Sequence, residues 1–173
     1  SATFLRGDSS WASAASDPAL SVAEGRLTAT TNTPVTTADV SGATSIYYTP
    51  YIGDKIALYD GSSWNHRTFT QITISLSGLT ASKPYDVFAY DNSGTVTIET
   101  LVWTNTTTRA TALAYQNGIL SKTGVLTRRY LGTVFINASG GQTDDTLAKR
   151  YLWNYYNRIS RPLQKLETTD SWT

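Results

Sequence analysis

The chain has 173 residues, 40% of them hydrophobic and only 16% charged, with a formal net charge of +1; this describes one folded domain rather than a disordered chain. Cysteine and methionine are absent and there is one histidine, so disulfides, thiolate metal sites and thiol nucleophiles are excluded, and a Ser-His-Asp triad or a multi-histidine metal centre has little scope. The near-zero charge argues against a nucleic-acid partner, and no apolar run approaches the roughly 18 residues of a helical membrane span, so no membrane insertion is expected.

Threonine is the commonest residue, and the aromatic fraction of 12% rests on eleven Tyr, five Trp and four Phe. Branched and aromatic side chains pack well on a pleated surface, so the expected fold is mostly β, an antiparallel sandwich or barrel-like domain. Residues 1–24 are rich in small side chains and lack sustained periodicity, which predicts an N-terminal arm for attachment or oligomerisation. The β domain is expected over 25–141, with runs at 26–31, 45–49, 55–59, 64–76, 85–90 and 95–103. Asp60-Gly61, Asn92-Ser93-Gly94 and Asn117-Gly118 supply the positive φ angles of tight turns, the last between strands at 112–115 and 119–122. In Ile72-Thr73-Ile74-Ser75-Leu76 and Val96-Thr97-Ile98-Glu99, alternation sends aliphatics to one face and polar groups to the other. Leu79 to Ala89 is similar to the turn and strand that carry the tyrosine corner of fibronectin type III domains, with Tyr85 as the tyrosine that turns back to upstream backbone, and this favours a sandwich. Over 142–161, Leu147, Tyr151, Tyr155 and Ile159 fall four residues apart behind Thr143 and Asp144, which predicts one C-terminal α-helix with those two as caps. Pro162 ends it, and 162–173 is expected to run extended toward a further domain or stalk.

Charge is unevenly spread. Residues 1–100 hold five basic and nine acidic groups, net −4, and residues 101–173 hold nine basic and four acidic, net +5, so the halves are expected to attract each other within or between subunits.

Phe4-Leu5-Arg6-Gly7-Asp8-Ser9-Ser10-Trp11 resembles the Leu-Arg-Gly-Asp-Gly-Thr-Trp element of tail-fibre and other virion proteins of tailed bacteriophages, with Ser9 and Ser10 in place of Gly and Thr. A second block looks like a module of phage and prophage structural proteins. It comprises Thr33-Pro-Val-Thr-Thr-Ala-Asp39-Val40, Ile46-Tyr-Tyr-Thr-Pro50-Tyr-Ile-Gly53, Ile56-Ala-Leu-Tyr-Asp60-Gly61-Ser-Ser-Trp64, Thr127-Arg-Arg-Tyr-Leu-Gly132 and Trp153-Asn-Tyr-Tyr-Asn-Arg158. The resemblance implies a virion component that forms or anchors a tail or head fibre without catalysis. Its partners would be copies of itself, three being the expected number, and portal, capsid, tail or fibre proteins.

Single residues with chemical capacity read mostly as structural. His66 shares a strand face with Trp64 and Thr68, where a polar surface role outweighs a catalytic one. Glycan cleavage needs two carboxylates across the scissile bond. Asp60 and Asp91 stand at turns and Asp144 at the predicted helix start, which leaves Glu99, on a solvent-facing strand, as the least explained acid. No cofactor and no metal are expected. Arg128, Arg129, Lys149, Arg150, Arg158 and Arg161 interleave with Tyr130, Tyr151, Trp153, Tyr155 and Tyr156, a pattern read as a subunit-facing helix because Arg, Tyr and Trp dominate binding hot spots. The expected assembly contacts are therefore Phe4, Leu5, Trp11, Tyr151, Trp153, Tyr155 and Arg158. The other readings are a receptor-recognition module, in which Tyr47, Tyr48, Tyr51 or Trp64 stacks on a host surface glycan, and a capsid decoration protein.

Overall fold

Turn chemistry sets the first level of the structure. The computed structural model describes residues 20–164, together with the backbone of 3–5 and 11–13. In chain order the strands are β1 (Thr3–Leu5), β2 (Trp11–Ser13), β3 (Gly25–Thr28), β4 (Val40–Ala43), β5 (Ser45–Pro50), β6 (Lys55–Tyr59), β7 (Trp64–Thr68) and β8 (Ile72–Ser75). They continue with β9 (Pro84–Asn92), β10 (Thr95–Val102), β11 (Leu113–Gln116), β12 (Ile119–Lys122), β13 (Val125–Phe135), β14 (Thr143–Thr146), β15 (Lys149–Arg150) and β16 (Leu152–Asn154). All three predicted turns close hairpins. Ser93 and Gly94, at φ 51° and 93°, join β9 to β10, and Asn117 and Gly118, at 49° and 82°, join β11 to β12. The Asp60 to Ser63 turn joins β6 to β7. β1 pairs with β2 through Phe4↔Ala12; the side chains of Phe4, Leu5 and Trp11 lie outside the described residues, as does the predicted extended segment after Gln164.

Among the described residues every pairing is antiparallel. The largest sheet runs β10-β9-β13-β12-β11, with β16 added beside the second half of β13; smaller sheets are β15-β14-β4, β3-β5-β8 and β6-β7. One apolar cluster joins their inner faces: Leu27, Ile46 and Ile74 from the β3-β5-β8 sheet, Ile56 and Leu58 from β6, and Tyr85, Val87, Ala89 and Val134 from the large sheet. The result is an all-β, sandwich-like body. The predicted alternation in β8 holds, since Ile74 is buried while Thr73 and Ser75 are exposed. The run predicted at 64–76 is two strands, because β7 pairs with β6 while β8 pairs with β5. Phe69 turns into the core between them and stacks on Tyr48, with ring centroids 4.7 Å apart.

The tyrosine corner is present. Tyr85 is buried at the start of β9, and its hydroxyl oxygen accepts the Thr80 N–H at 2.8 Å. Removing one neutral hydrogen bond here leaves the N–H without its partner, so Tyr85→Phe is expected to lower stability by about 1 kcal/mol, read from the urea midpoint. An unchanged midpoint would mean that water replaces the hydroxyl at no cost.

The C-terminal helix is a correction: no helix occurs among the described residues, and 142–161 folds as β14, β15 and β16. Thr143 and Asp144, read as helix caps, are buried strand residues whose side chains are already used. Thr143 Oγ1 donates to the Phe135 carbonyl at 2.8 Å, and Asp144 Oδ1 accepts the Gly42 N–H at 2.8 Å. A helix would have left the open edge of β13 without partners. Instead Phe135 N–H donates to the Tyr151 carbonyl and Tyr155 N–H to the Leu131 carbonyl, both at 2.8 Å, so tertiary pairing outweighs a helical spacing. Beyond β16, Asn157 adopts φ 50° and donates from its amide to the Ala23 and Gly25 carbonyls.

Candidate functional site

The outer face of the large sheet is built from aromatic rings capped by cations. Phe88 and Tyr130 sit as neighbours on β9 and β13, with centroids 5.9 Å apart, and Tyr155 meets Tyr130 at 5.7 Å. Arg109 lies 4.4 Å from the Trp103 ring centre and 5.6 Å from that of Tyr130; Arg128 lies 3.8 Å from Tyr90 and Lys122 5.9 Å from Phe88. The long aliphatic stems cover ring surface while the charged ends find acids.

Strand period orders the predicted interface residues. In β16 and its flanks, Leu152 and Tyr156 pack toward the core, while Tyr151 meets Phe135 edge-on at 4.9 Å and Tyr155 meets Tyr130, which places them outward. Trp153 and Tyr155 are 47% and 37% exposed, and Tyr115 on β11 is 68% exposed. Burial first, then the neighbouring Tyr115, push the Tyr155 hydroxyl up from its ordinary value. Arg158 is exposed as well. The structure therefore gathers Tyr151, Trp153 and Tyr155, together with Tyr115, which sequence reasoning passed over as an ordinary hairpin residue.

The glycan-stacking set is not gathered. Tyr48 is 2% exposed and stacked on Phe69, so it offers no ring face to a sugar; this is a correction, and its cause is the core-facing register of β5. Tyr47 is half-buried, and Tyr51 has the Arg26 guanidinium 5.4 Å from its ring centre. Trp64 lines an open cleft of about 720 Å³ with Tyr59, Ser62, Asn65, Gln116 and Asn117. There the β6–β7 and β11–β12 turns meet, and Trp64 Nε1 donates to Asn117 Oδ1 at 3.2 Å.

The acids are engaged by donors. Asp86, 1% exposed, accepts from Arg109 Nε at 2.9 Å and Thr133 Oγ1 at 2.8 Å, and Thr133 in turn meets the Tyr130 hydroxyl at 2.7 Å. Glu99 bridges Lys122 at 3.1 Å and Arg128 at 2.9 Å, so it is clamped rather than left facing solvent as expected. Burial alone would raise its pKa, but those two donors hold it below the ordinary value. The Arg67 fork holds Asp91 down, and at Asp144 the donors Gly42 N–H, Asn137 and Lys149 outweigh burial. In the exposed turn, the Ser63 and then the Ser62 N–H hold Asp60 well below the usual carboxylate range. The Asp86 and Glu99 pairs join the acidic first half of the chain to the basic second half within one molecule.

These depressed values carry a sign. A carboxylate whose folded pKa lies below its unfolded one contributes stability above the unfolded value, and that stability is lost as pH falls through the folded value. The urea midpoint is therefore expected to hold near neutrality and drop as pH falls below about 4, with Glu99→Gln removing part of the drop. A midpoint flat to about pH 3 would contradict this.

No protein-family model, curated protein or solved structure matches the chain.

Proposed function

We propose that the chain is a structural module of a tailed-phage particle, a two-layer sandwich that forms or anchors a fibre by associating with copies of itself, three in number, and with portal, capsid or tail proteins. The observation that carries this reading is the outward aromatic pair Tyr115 and Tyr155, exposed on the cation-capped face beside Trp153. A chain with 40% hydrophobic residues has ample means to bury such rings, and exposed Tyr and Trp beside Arg have the composition of an interface core. The phage-like blocks at 4–11, 33–64, 127–132 and 153–158 point the same way. So does the engagement of Asp60, Asp86, Asp91, Glu99, Asp144 and Asp145 with hydrogen-bond donors, which suits a building block without catalysis.

Light scattering on the purified chain tests it. The expected mass is three times 18.9 kDa, and a Tyr115→Ser, Tyr155→Ser double variant is expected to elute as a monomer with an unchanged far-UV spectrum. A wild-type monomer at the highest soluble concentration would overturn self-association. A second reading, a neutral-saccharide contact, is favoured by the Trp64 cleft, where an indole and a phenol stand among amide and hydroxyl side chains. Glycan-array binding that Trp64→Ala abolishes would support it.

A further inference from the structure

Four arginines and one carboxylate line an open cleft of about 310 Å³ between the start of β3, the β14–β15 hairpin and the chain after β16. Asp145, almost fully buried, is already saturated: its Oδ1 accepts from Arg150 at 3.0 Å, and its Oδ2 accepts from Arg161. The remaining bonds of these guanidiniums go to main-chain carbonyls, Arg150 to Pro162 at 3.0 Å and Arg161 to Thr36 at 3.0 Å. Arg26 is only 5% exposed; one Nη donates to the Pro34 carbonyl at 2.7 Å, while its Nε has no hydrogen-bond partner. Burial pushes the Arg26 guanidinium down from its ordinary value, and the adjacent Arg161 adds to this. Arg158, on the rim, is exposed and forms no salt bridge among the described residues.

Among the described residues the cleft therefore has donors in surplus, with both oxygens of its one carboxylate engaged. Guanidinium is a donor with no acceptor, so what completes such a site is an acceptor-only group carrying negative charge, and its planar fork matches a carboxylate. The walls add a second requirement. Trp153, 47% exposed, is among the lining residues and adds an aromatic surface, which a free inorganic anion would leave unused. A sugar ring with an apolar C–H face and a carboxylate meets both requirements, and the volume suits a ring-sized group.

We propose that this cleft binds a carboxylated saccharide, the carboxylate held by Arg158 and the inner arginines and the ring lying against Trp153. The site is separate from the Trp64 cleft in both residues and ligand class. It borders the assembly face at Trp153, but neither Tyr115 nor Tyr155 lines it.

Calorimetric titration of the full chain at low ionic strength tests this with four probes: a galacturonic-acid trisaccharide, the uncharged galactose trisaccharide, sodium sulfate and a triglutamate peptide. The acidic trisaccharide is expected to bind, to quench Trp fluorescence and to weaken as salt is added. Arg158→Ala, at an exposed side chain with no ion pair to lose, is expected to keep its melting temperature and lose about tenfold or more in affinity, with Arg158→Lys between the two. Trp153→Ala is expected to lose affinity for the trisaccharide but not for sulfate. No binding of the acidic trisaccharide would overturn the proposal. So would equal affinity for sulfate, the neutral sugar or the peptide, or affinity unmoved by Arg158→Ala. Light scattering on the same samples reads the oligomeric state independently, so failure of this proposal and failure of the assembly reading are distinguishable.

Discussion

Replacing Arg129 with methionine is expected to lower the stability of the fold by about 4 kcal/mol, the largest effect of any single side chain considered. Arg129 is 1% exposed and has no carboxylate partner among the described residues; its bonds there go mostly to main-chain carbonyls. One Nη donates to Leu20, Val22 and Ala57 at 3.0, 2.9 and 2.7 Å, the other to Ser21 at 3.3 Å, and Nε to the Tyr156 hydroxyl at 3.3 Å. The Tyr156 ring centre lies 4.6 Å from the guanidinium carbon. One side chain thus pins the segment at 20–22 to β6 and β13. Methionine fills much of the volume but takes the charged donor from the Ala57 and Leu20 carbonyls and the Tyr156 hydroxyl, a loss of about 1–3 kcal/mol for each group that water cannot reach. Lysine, a point charge without the fork, is expected to recover only part of the loss. Equilibrium urea unfolding measures both variants. A methionine variant as stable as the parent would mean that water satisfies those carbonyls and that the arginine is not the fastener.

Adjacent Arg128 and Arg129 also show what the sequence could and could not disclose. Read as one basic patch, they seemed to belong to a surface. On a strand they point to opposite sides, Arg128 out to Glu99 and Tyr90 and Arg129 into the interior. β13 itself was not marked as a strand, because the bulge between Tyr130 and Gly132 shifts the phase of its alternation and Leu131 becomes an extra inward residue. The hairpins and the Tyr85 corner were legible because their signals are local: Asn-Gly, Ser-Gly and a tyrosine five residues after its backbone partner. The segment 142–161 was misread because Tyr151 and Tyr155 are four apart, which suits one face of a helix and one face of a strand equally, and only the unfilled edge of β13 decides between them. Tyr151, Trp153 and Tyr155 nonetheless share one face on the strand reading as well. The arginine cleft could not have been foreseen, because Arg26 comes from the opposite end of the sequence.

Gly132→Ala is expected to destabilise the domain by about 3 kcal/mol and to release β16 from the sheet. A Cβ at Gly132 would stand 2.0 Å from the Trp153 carbonyl oxygen and 3.1 Å from Leu27 Cδ1. The obstructing atom is backbone, so no rotamer change relieves it: either β16 moves away or β13 bends at its bulge. The bonds at stake flank the contact on both sides, Phe135 N–H to the Tyr151 carbonyl and Tyr155 N–H to the Leu131 carbonyl. Hydrogen exchange at the Phe135 and Tyr155 amides is expected to accelerate ahead of exchange at the β9–β10 pairs, which the substitution does not touch. The consequence reaches function, because Trp153 and Tyr155 hold their places through this pairing. On the proposed reading the alanine variant loses self-association and the Trp153 edge of the arginine cleft together, whereas Tyr115→Ser affects association alone. Full protection of the Tyr155 amide in a stable Gly132→Ala variant would show that β16 does not need the missing side chain in order to dock.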